Sequence, residues 1–275
     1  MSNCKVIALC NEKGGVAKTT TGVNLGANLA MRGNRVLLVD ADPQASLTVS
    51  LGLKNPDALN VTLANKLDAL INDKPIIAHE GIQSHPEGMD LLPSNIELSG
   101  IETSLFNTMS RETILKNYIN MVKPDYEYIL IDCMPSLGML TINALTACDS
   151  VIIPSQPSYL STKGMDLLFK SISKVKRSIN PNLKIDGILM TMVDGRTNNA
   201  RDVIRTLRDT IGKNIHIFDT EIPHSVRAAE CALEGVSIFR HDPKGKVAEG
   251  YAKFTEEVMY LGERAKTRLR DDWVR

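Results

Sequence analysis

Aromatic residues are scarce in this chain, at 4% of 275 positions with a single Trp, so its core must be aliphatic. Cysteine is sparse too. Cys4, Cys10, Cys133, Cys148 and Cys231 are odd in number, and no two are spaced C-x-x-C. That pattern gives neither a disulfide framework nor a zinc site, and it suits a reducing cytoplasm. The five histidines show no metal spacing either. No apolar run approaches the roughly 20 residues of a membrane-spanning helix. No basic leader with an apolar signal core precedes "KVIALC". Formal net charge is zero, so no global field draws the chain to nucleic acid or membrane, and any basic footprint must be local.

What is present is alternation. "KVIALC" (5–10), "RVLLVD" (35–40), "YILIDC" (128–133), "VIIP" (151–154) and "IDGILMTMV" (185–193) read as strands. They are near-continuously apolar, as parallel strands covered on both faces are. Helical patterns at Thr20–Met31, Arg111–Val122 and Met165–Ile179 lie between them. The expected fold class is therefore α/β: one doubly wound, mostly parallel sheet with helices on both faces. Residues 54–110 carry Pro56, Pro75, Pro86 and Pro93 and mix short elements. No linker or repeat divides the chain, so one domain is expected over 1–275. Its first strand starts near Met1, which leaves no room for a leading DNA-reading domain.

The stretch "CNEKGGVAKTTTG" (10–22) sits between the first strand and the first helix. A phosphate-binding loop is written G-x-x-x-x-G-K-[ST]. Lys18 and Thr19 fit its end, whereas Glu12 and Ala17 stand where its glycines belong. The chemistry needs backbone N–H groups turned inward and a helix N-terminus aimed at the phosphates, not glycine at every position. Gly14 and Gly15 supply the freedom in mid-loop. A left-handed alanine costs about 1–2 kcal/mol, so Ala17 is expected at negative φ.

The spelling K-G-G-V-x-K-T-T resembles the deviant P-loop of the ParA/MinD family of ATPases, a P-loop NTPase fold. Four further segments resemble that family in the same order: "VLLVDADPQASLT" (36–48), "YILIDCMPSLG" (128–138), "VIIPSQPSYLSTKG" (151–164) and the C-terminal third from "TMVDGRTNNARDV" onward. The nearest subgroup is that of compact, Soj-like partition ATPases. Two departures stand out: Ala17 for a glycine and Met134 for a proline.

The resemblance implies ATP and Mg²⁺ as ligands. The loop Lys13, Gly14, Gly15, Val16, Ala17, Lys18, Thr19 and Thr20 would hold the phosphates. Lys18 would sit on the β- and γ-phosphates, and Thr19, Asp40 and Asp132 would serve the metal and its waters. Asp42 would face the attacking water. Lys13 would reach across a dimer interface to the partner's ATP, and with Lys18 and Asp42 it completes the catalytic set. Asp194, Arg196 and Pro223 would lie near the base. Cys133 follows the second strand aspartate, and with no second suitable cysteine evident it reads as a core thiol.

Residues 163–214 hold 11 Lys/Arg against 5 Asp/Glu, a local excess of six positive charges. Lys170, Lys174 and Arg177 repeat at i, i+4, i+7, and Arg201, Arg205 and Arg208 repeat that spacing. Leu168, Ile172, Val175 and Ile179 line another face of the first stretch. Each reads as an amphipathic helix with a basic outer stripe, suited to phosphate contacts on double-stranded DNA without base reading. Arg227 joins them by resemblance. A C-terminal stripe of Tyr251, Phe254, Val258, Leu261, Ala265 and Leu269 reads as a docked terminal helix.

The implied function is a DNA partition ATPase in the cytoplasm, associated with the nucleoid. It would form an ATP-bound homodimer on non-specific DNA and be released when a ParB-like centromere-binding activator stimulates hydrolysis. Three alternatives stand beside it. A MinD-like spatial regulator would carry a bulky apolar C-terminal face, which "KTRLRDDWVR" lacks, so no membrane partner is expected. A metabolic or iron-sulfur carrier would share the fold. A nucleotide-binding regulator with negligible turnover would follow from Ala17.

Overall fold

The computed structural model describes residues 4–196 and 198–274, without the side chains of 159–164, 198–199 and 263–274. The chain runs β1 (Lys5–Leu9), α1 (Lys18–Met31), β2 (Val36–Ala41), α2 (Ser46–Ser50), α3 (Leu63–Ile71), β3 (Gln83–Ser84), β4 (Asp90–Leu92) and α4 (Leu98–Leu105). It continues through α5 (Ile114–Val122), β5 (Tyr128–Cys133), α6 (Met139–Ala147), β6 (Ser150–Ser155), α7 (Tyr159–Ser178) and β7 (Lys184–Val193). Then follow α8 (Asn198–Thr210), β8 (Ile217–Pro223), α9 (Val226–Glu234), α10 (Ile238–His241) and α11 (Lys246–Val274).

The strands form one eight-stranded sheet in the order β3-β4-β2-β5-β1-β6-β7-β8. All neighbours are parallel except β3 on β4. The five apolar runs read as strands all enter it, as the run lengths and aliphatic content require. From β1 the chain crosses leftward to β2, and from β5 it returns rightward to β6. Their C-terminal ends face a crevice at this reversal, where open α/β sheets take ligands.

Successive residues of a strand point to opposite faces, and the core divides accordingly. Val6, Ala8, Ile129, Ile131, Val151 and Ile153 pack under α3 to α8. Ile7, Leu9, Leu38, Leu130 and Ile152 pack under α1, α2 and α9 to α11. The two basic helices, α7 and α8, therefore lie on the same face. Gly26 lets α1 approach the sheet, since a Cβ there would stand 2.9 Å from Leu38 Cδ2. Tyr251, Phe254 and Val258 of α11 are buried in the second layer, as a docked terminal helix requires. Ala265 and Leu269 of the same stripe fall outside the described side chains.

Three strands escaped the apolar pattern, β3 because it is only the two exposed residues Gln83 and Ser84. β4 is three residues long, and β8, "IFDTEIP", alternates because it ends the sheet. Its edge is not left open. The Glu257 carboxylate accepts from Asp219 N and Thr220 N, both at 2.9 Å, satisfying two backbone donors that would otherwise invite another strand.

Candidate functional site

The loop after β1 is fixed by its carbonyls. Gln156 Nε2 donates to Gly15 O at 2.9 Å, and the buried Thr191 Oγ1 donates to Val16 O at 2.9 Å. Lys18 Nζ donates to Lys13 O at 3.2 Å, and Lys13 N donates to Asn11 Oδ1 at 3.0 Å. With Gly15 O and Val16 O bonded to Gln156 and Thr191, the loop amides at the N-terminus of α1 can turn to an anion.

One expectation fails here. Ala17 adopts φ 63°, ψ 34°, the left-handed region, not negative φ. The reason is that both flanks are tied. Val16 O is anchored by Thr191, and Ala17 O accepts the first helical bond from Thr21 N at 2.9 Å. The loop geometry overrides the preference of alanine, and a strain of about 1–2 kcal/mol is retained.

Lys18 is buried, and Thr19 Oγ1 donates to Asp132 Oδ2 at 2.6 Å. Asp132 closes β5 directly beside β2, where Asp40 is its registered neighbour. Asp40 directs its carboxylate to Thr48 N at 2.8 Å, Thr48 Oγ1 at 2.7 Å and Asp42 N at 3.2 Å. Asp42 accepts from Gln44 N at 2.9 Å. Burial pushes the Asp40 carboxyl up to about 7. Burial, then the neighbouring Asp40 charge, pushes Asp132 up to about 8.

These residues fit a magnesium ion. Among the described residues Asp132 Oδ1 is buried without a hydrogen-bond partner, adjacent to the Thr19 hydroxyl. Among the same residues no cluster of three His, Cys, Asp or Glu could hold a metal alone. That suits Mg²⁺, a hard cation that takes one or two protein oxygens and fills its octahedron with phosphate and water.

Lys13 is half-buried, with Nζ 3.4 Å from Gln156 Oε1 and 3.3 Å from Ser158 Oγ of the loop after β6. Pro223 lines a cavity of about 260 Å³ together with Ala17, Thr20, Met192, His224 and Tyr251. This places an apolar wall beside the phosphate loop. Asp194 and Arg196 do not join it. They pair with each other at 2.9 Å, and the guanidinium holds the Asp194 carboxyl down at about 2. Gln156 was not singled out from the sequence, and Tyr251 was named only for the stripe of the terminal helix. Met192, a non-glycine residue at φ 53° inside β7, carries no local signature.

Cys133 does have a companion. Cys10 Sγ and Cys133 Sγ share a hydrogen bond at 3.1 Å, a contact between residues 123 positions apart. Register explains it, since Leu9 pairs with Asp132 and the next residues follow side by side. The hydrogen bond with Cys10, then burial, holds the Cys133 thiol well above its ordinary value.

On the outer side of α7, Lys170, Lys174 and Arg177 are exposed, while Leu168, Ile172 and Val175 are buried. Arg201 and Arg205 are likewise exposed on α8 over the buried Ile204 and Leu207. Arg208 differs. It is part-buried, donating to Phe218 O at 3.2 Å and lying 3.5 Å from Asp219 and 3.8 Å from Glu221. Arg227 belongs to α9 on the opposite face and pairs with Asp242 at 3.2 Å.

Residues 4–185 match a family described as AAA domain. The chain is 43% identical to the sporulation initiation inhibitor protein Soj of Bacillus subtilis, over 94% of this chain and 99% of that one. It is 40% identical to the chromosome partitioning protein ParA of Myxococcus xanthus, over 93% and 88%. Among solved structures, cobyrinic acid a,c-diamide synthase from Mycobacterium smegmatis, with bound ATP analogue and magnesium, superposes with a TM-score of 0.80 at 38% identity, over 93% and 94%. With a lysine-bearing phosphate loop, a paired Thr19–Asp132 and this breadth of similarity, the chain belongs to the ParA/MinD family of P-loop ATPases.

Proposed function

We propose that this chain is an ATP-driven DNA partition switch. Two copies close face to face over ATP, the closed pair holds DNA without regard to sequence, and hydrolysis stimulated by a ParB-like partner releases it. The observation that carries the reading is the pairing of two outward basic stripes, on α7 and α8 of one face, with a lysine at the rim of the phosphate loop. Relatives named as partition proteins support it.

Lys18 binds the β- and γ-phosphates, and the loop amides neutralise their charge as the terminal phosphoryl departs. Thr19 and Asp132 would hold a bound Mg²⁺, which would offset the charge that develops during transfer. Asp42, at the end of β2, accepts hydrogen bonds from and orients the attacking water. Lys13 extends to the partner's triphosphate. Loss of the γ-phosphate then removes a contact that exists only in the pair, which supplies the differential free energy a switch needs. Pairing also doubles the phosphate contacts available to DNA. The working place is the cytoplasm, on the nucleoid, with 1–275 acting as one domain. Among the described residues no helix is long and apolar enough to cross a membrane.

The test is size and DNA binding in ADP, ATP and a slowly hydrolysed analogue. The parent should be a dimer on DNA only with the triphosphates. Lys13→Ala should stay monomeric and off DNA, and Asp42→Ala should remain a DNA-bound dimer. A parent that is monomeric with every nucleotide overturns the reading. ATP consumption that requires cobyrinic acid and ignores DNA would favour the activity named for the smegmatis relative.

A further inference from the structure

Position 17 is where the chain departs from the glycine of its loop pattern, and the departure lies on the ligand side. A Cβ built at Gly14 or Gly15 meets nothing within 4 Å, so both face open space. Val16 is fully buried in the protein. Ala17 is half-exposed and lines the 260 Å³ cavity with Thr20, Met192 and Pro223. The methyl cannot swing away, because the hydrogen bonds to Val16 O and Ala17 O fix the backbone on both sides.

We propose that Ala17 is an affinity-setting residue: its methyl holds the nucleotide off the loop amides, so the site grips ATP and ADP more weakly than the same loop with glycine. This rests on the nucleotide-binding reading above. Glycines in phosphate loops matter because a bare backbone can approach the pyrophosphate closely. Strain is not the cause. The left-handed turn is already present without ligand, so its cost falls on folding and cancels in binding. The methyl instead takes up room in the cavity that Ala17 shares with Thr20, Met192 and Pro223 beside the loop. Because affinity differences within one site fall mainly on dissociation, the same methyl speeds the loss of ADP after hydrolysis.

Two substitutions separate bulk from strain. Both glycine and asparagine accept the left-handed conformation, but one removes the methyl and the other enlarges it. Ala17→Gly should bind fluorescent ADP and ATP analogues with magnesium about tenfold more tightly and release ADP more slowly. Ala17→Asn should bind them at least about threefold more weakly. Neither should melt below the parent when nucleotide is absent. An Ala17→Gly affinity within about threefold of the parent overturns the proposal, as does an asparagine variant that tightens binding. If neither the parent nor Ala17→Gly binds at millimolar nucleotide, the nucleotide reading itself falls and takes this one with it.

Discussion

The crevice edge of the sheet and its α7–α8 face are built on opposite terms. At the crevice, Lys18, Asp40 and Asp132 are buried, and most polar atoms have partners within 3.2 Å. Each side chain is positioned by strands on either side, so a change in one is felt by several. On the α7–α8 face, Lys170, Lys174, Arg177 and Arg205 are exposed above an aliphatic underside, and the exposed Arg201 donates to Gly195 O at 2.7 and 3.1 Å. Those charges act by number and position, not by individual geometry. Under the proposed function one region would be a mechanism and the other a field, and they should respond differently to mutation, pH and salt.

The largest effect should follow from the buried ammonium. Lys18→Ala removes charge-assisted bonds to phosphate, each worth about 1.5–3 kcal/mol. Nucleotide affinity should drop roughly 100-fold by calorimetry, with the fold intact by circular dichroism. Retained affinity would show that the crevice is not the nucleotide site.

Next comes pH. Folded Asp132 and Asp40 hold protons up to about 8 and about 7, whereas unfolded carboxyls release theirs near 4. Between those limits the folded state binds more protons than the unfolded one, so stability must fall as pH rises. The melting temperature of metal-free protein should decline from pH 5 to pH 8, and Asp132→Asn should flatten the decline. Magnesium with nucleotide should counter it most at the alkaline end. A melting temperature that rises over this range would break the claim.

The basic face should respond in smaller, additive steps. Each of Lys170→Ala, Lys174→Ala and Arg205→Ala should weaken ATP-dependent DNA binding about two- to fivefold and lower the salt slope by about one. Sequence preference should stay unchanged. Reversing all three should abolish binding while leaving ATP-driven pairing intact. If the reversal leaves DNA binding unaltered, the field lies elsewhere on the molecule.

The smallest effect divides one stripe. Arg208 is tied to Phe218 O and two carboxylates, so Arg208→Ala should shift melting by about a degree or two and DNA affinity little. Partly exposed ion pairs contribute at most about 1 kcal/mol. A DNA loss equal to that of Arg205→Ala would place Arg208 with the field instead.

Much of the crevice was legible because one segment of chain writes it. Lys13 to Thr20 are contiguous, and Asp40 and Asp132 end apolar strands whose length and composition announce them. The parts that were not legible arise between segments. The Cys10–Cys133 contact depends on strand register, and Gln156 and Thr191 reach the loop from just beyond β6 and from β7. The sign of φ at Ala17 was misread because residue preference was weighed without the two hydrogen bonds that outvote it. β8 was missed because an edge strand sheds the continuous apolar run expected of a central one. On α8 the spacing identified the basic stripe, but the acidic residues of β8 that claim Arg208 come later in the chain.

Glu257 has a bearing on how copies of this protein could gather. By occupying two consecutive amides of the last strand, it closes the direction in which a sheet would otherwise lengthen from one molecule into the next. Under the proposed function, copies that gather on DNA would therefore have to meet through surfaces other than the β8 edge.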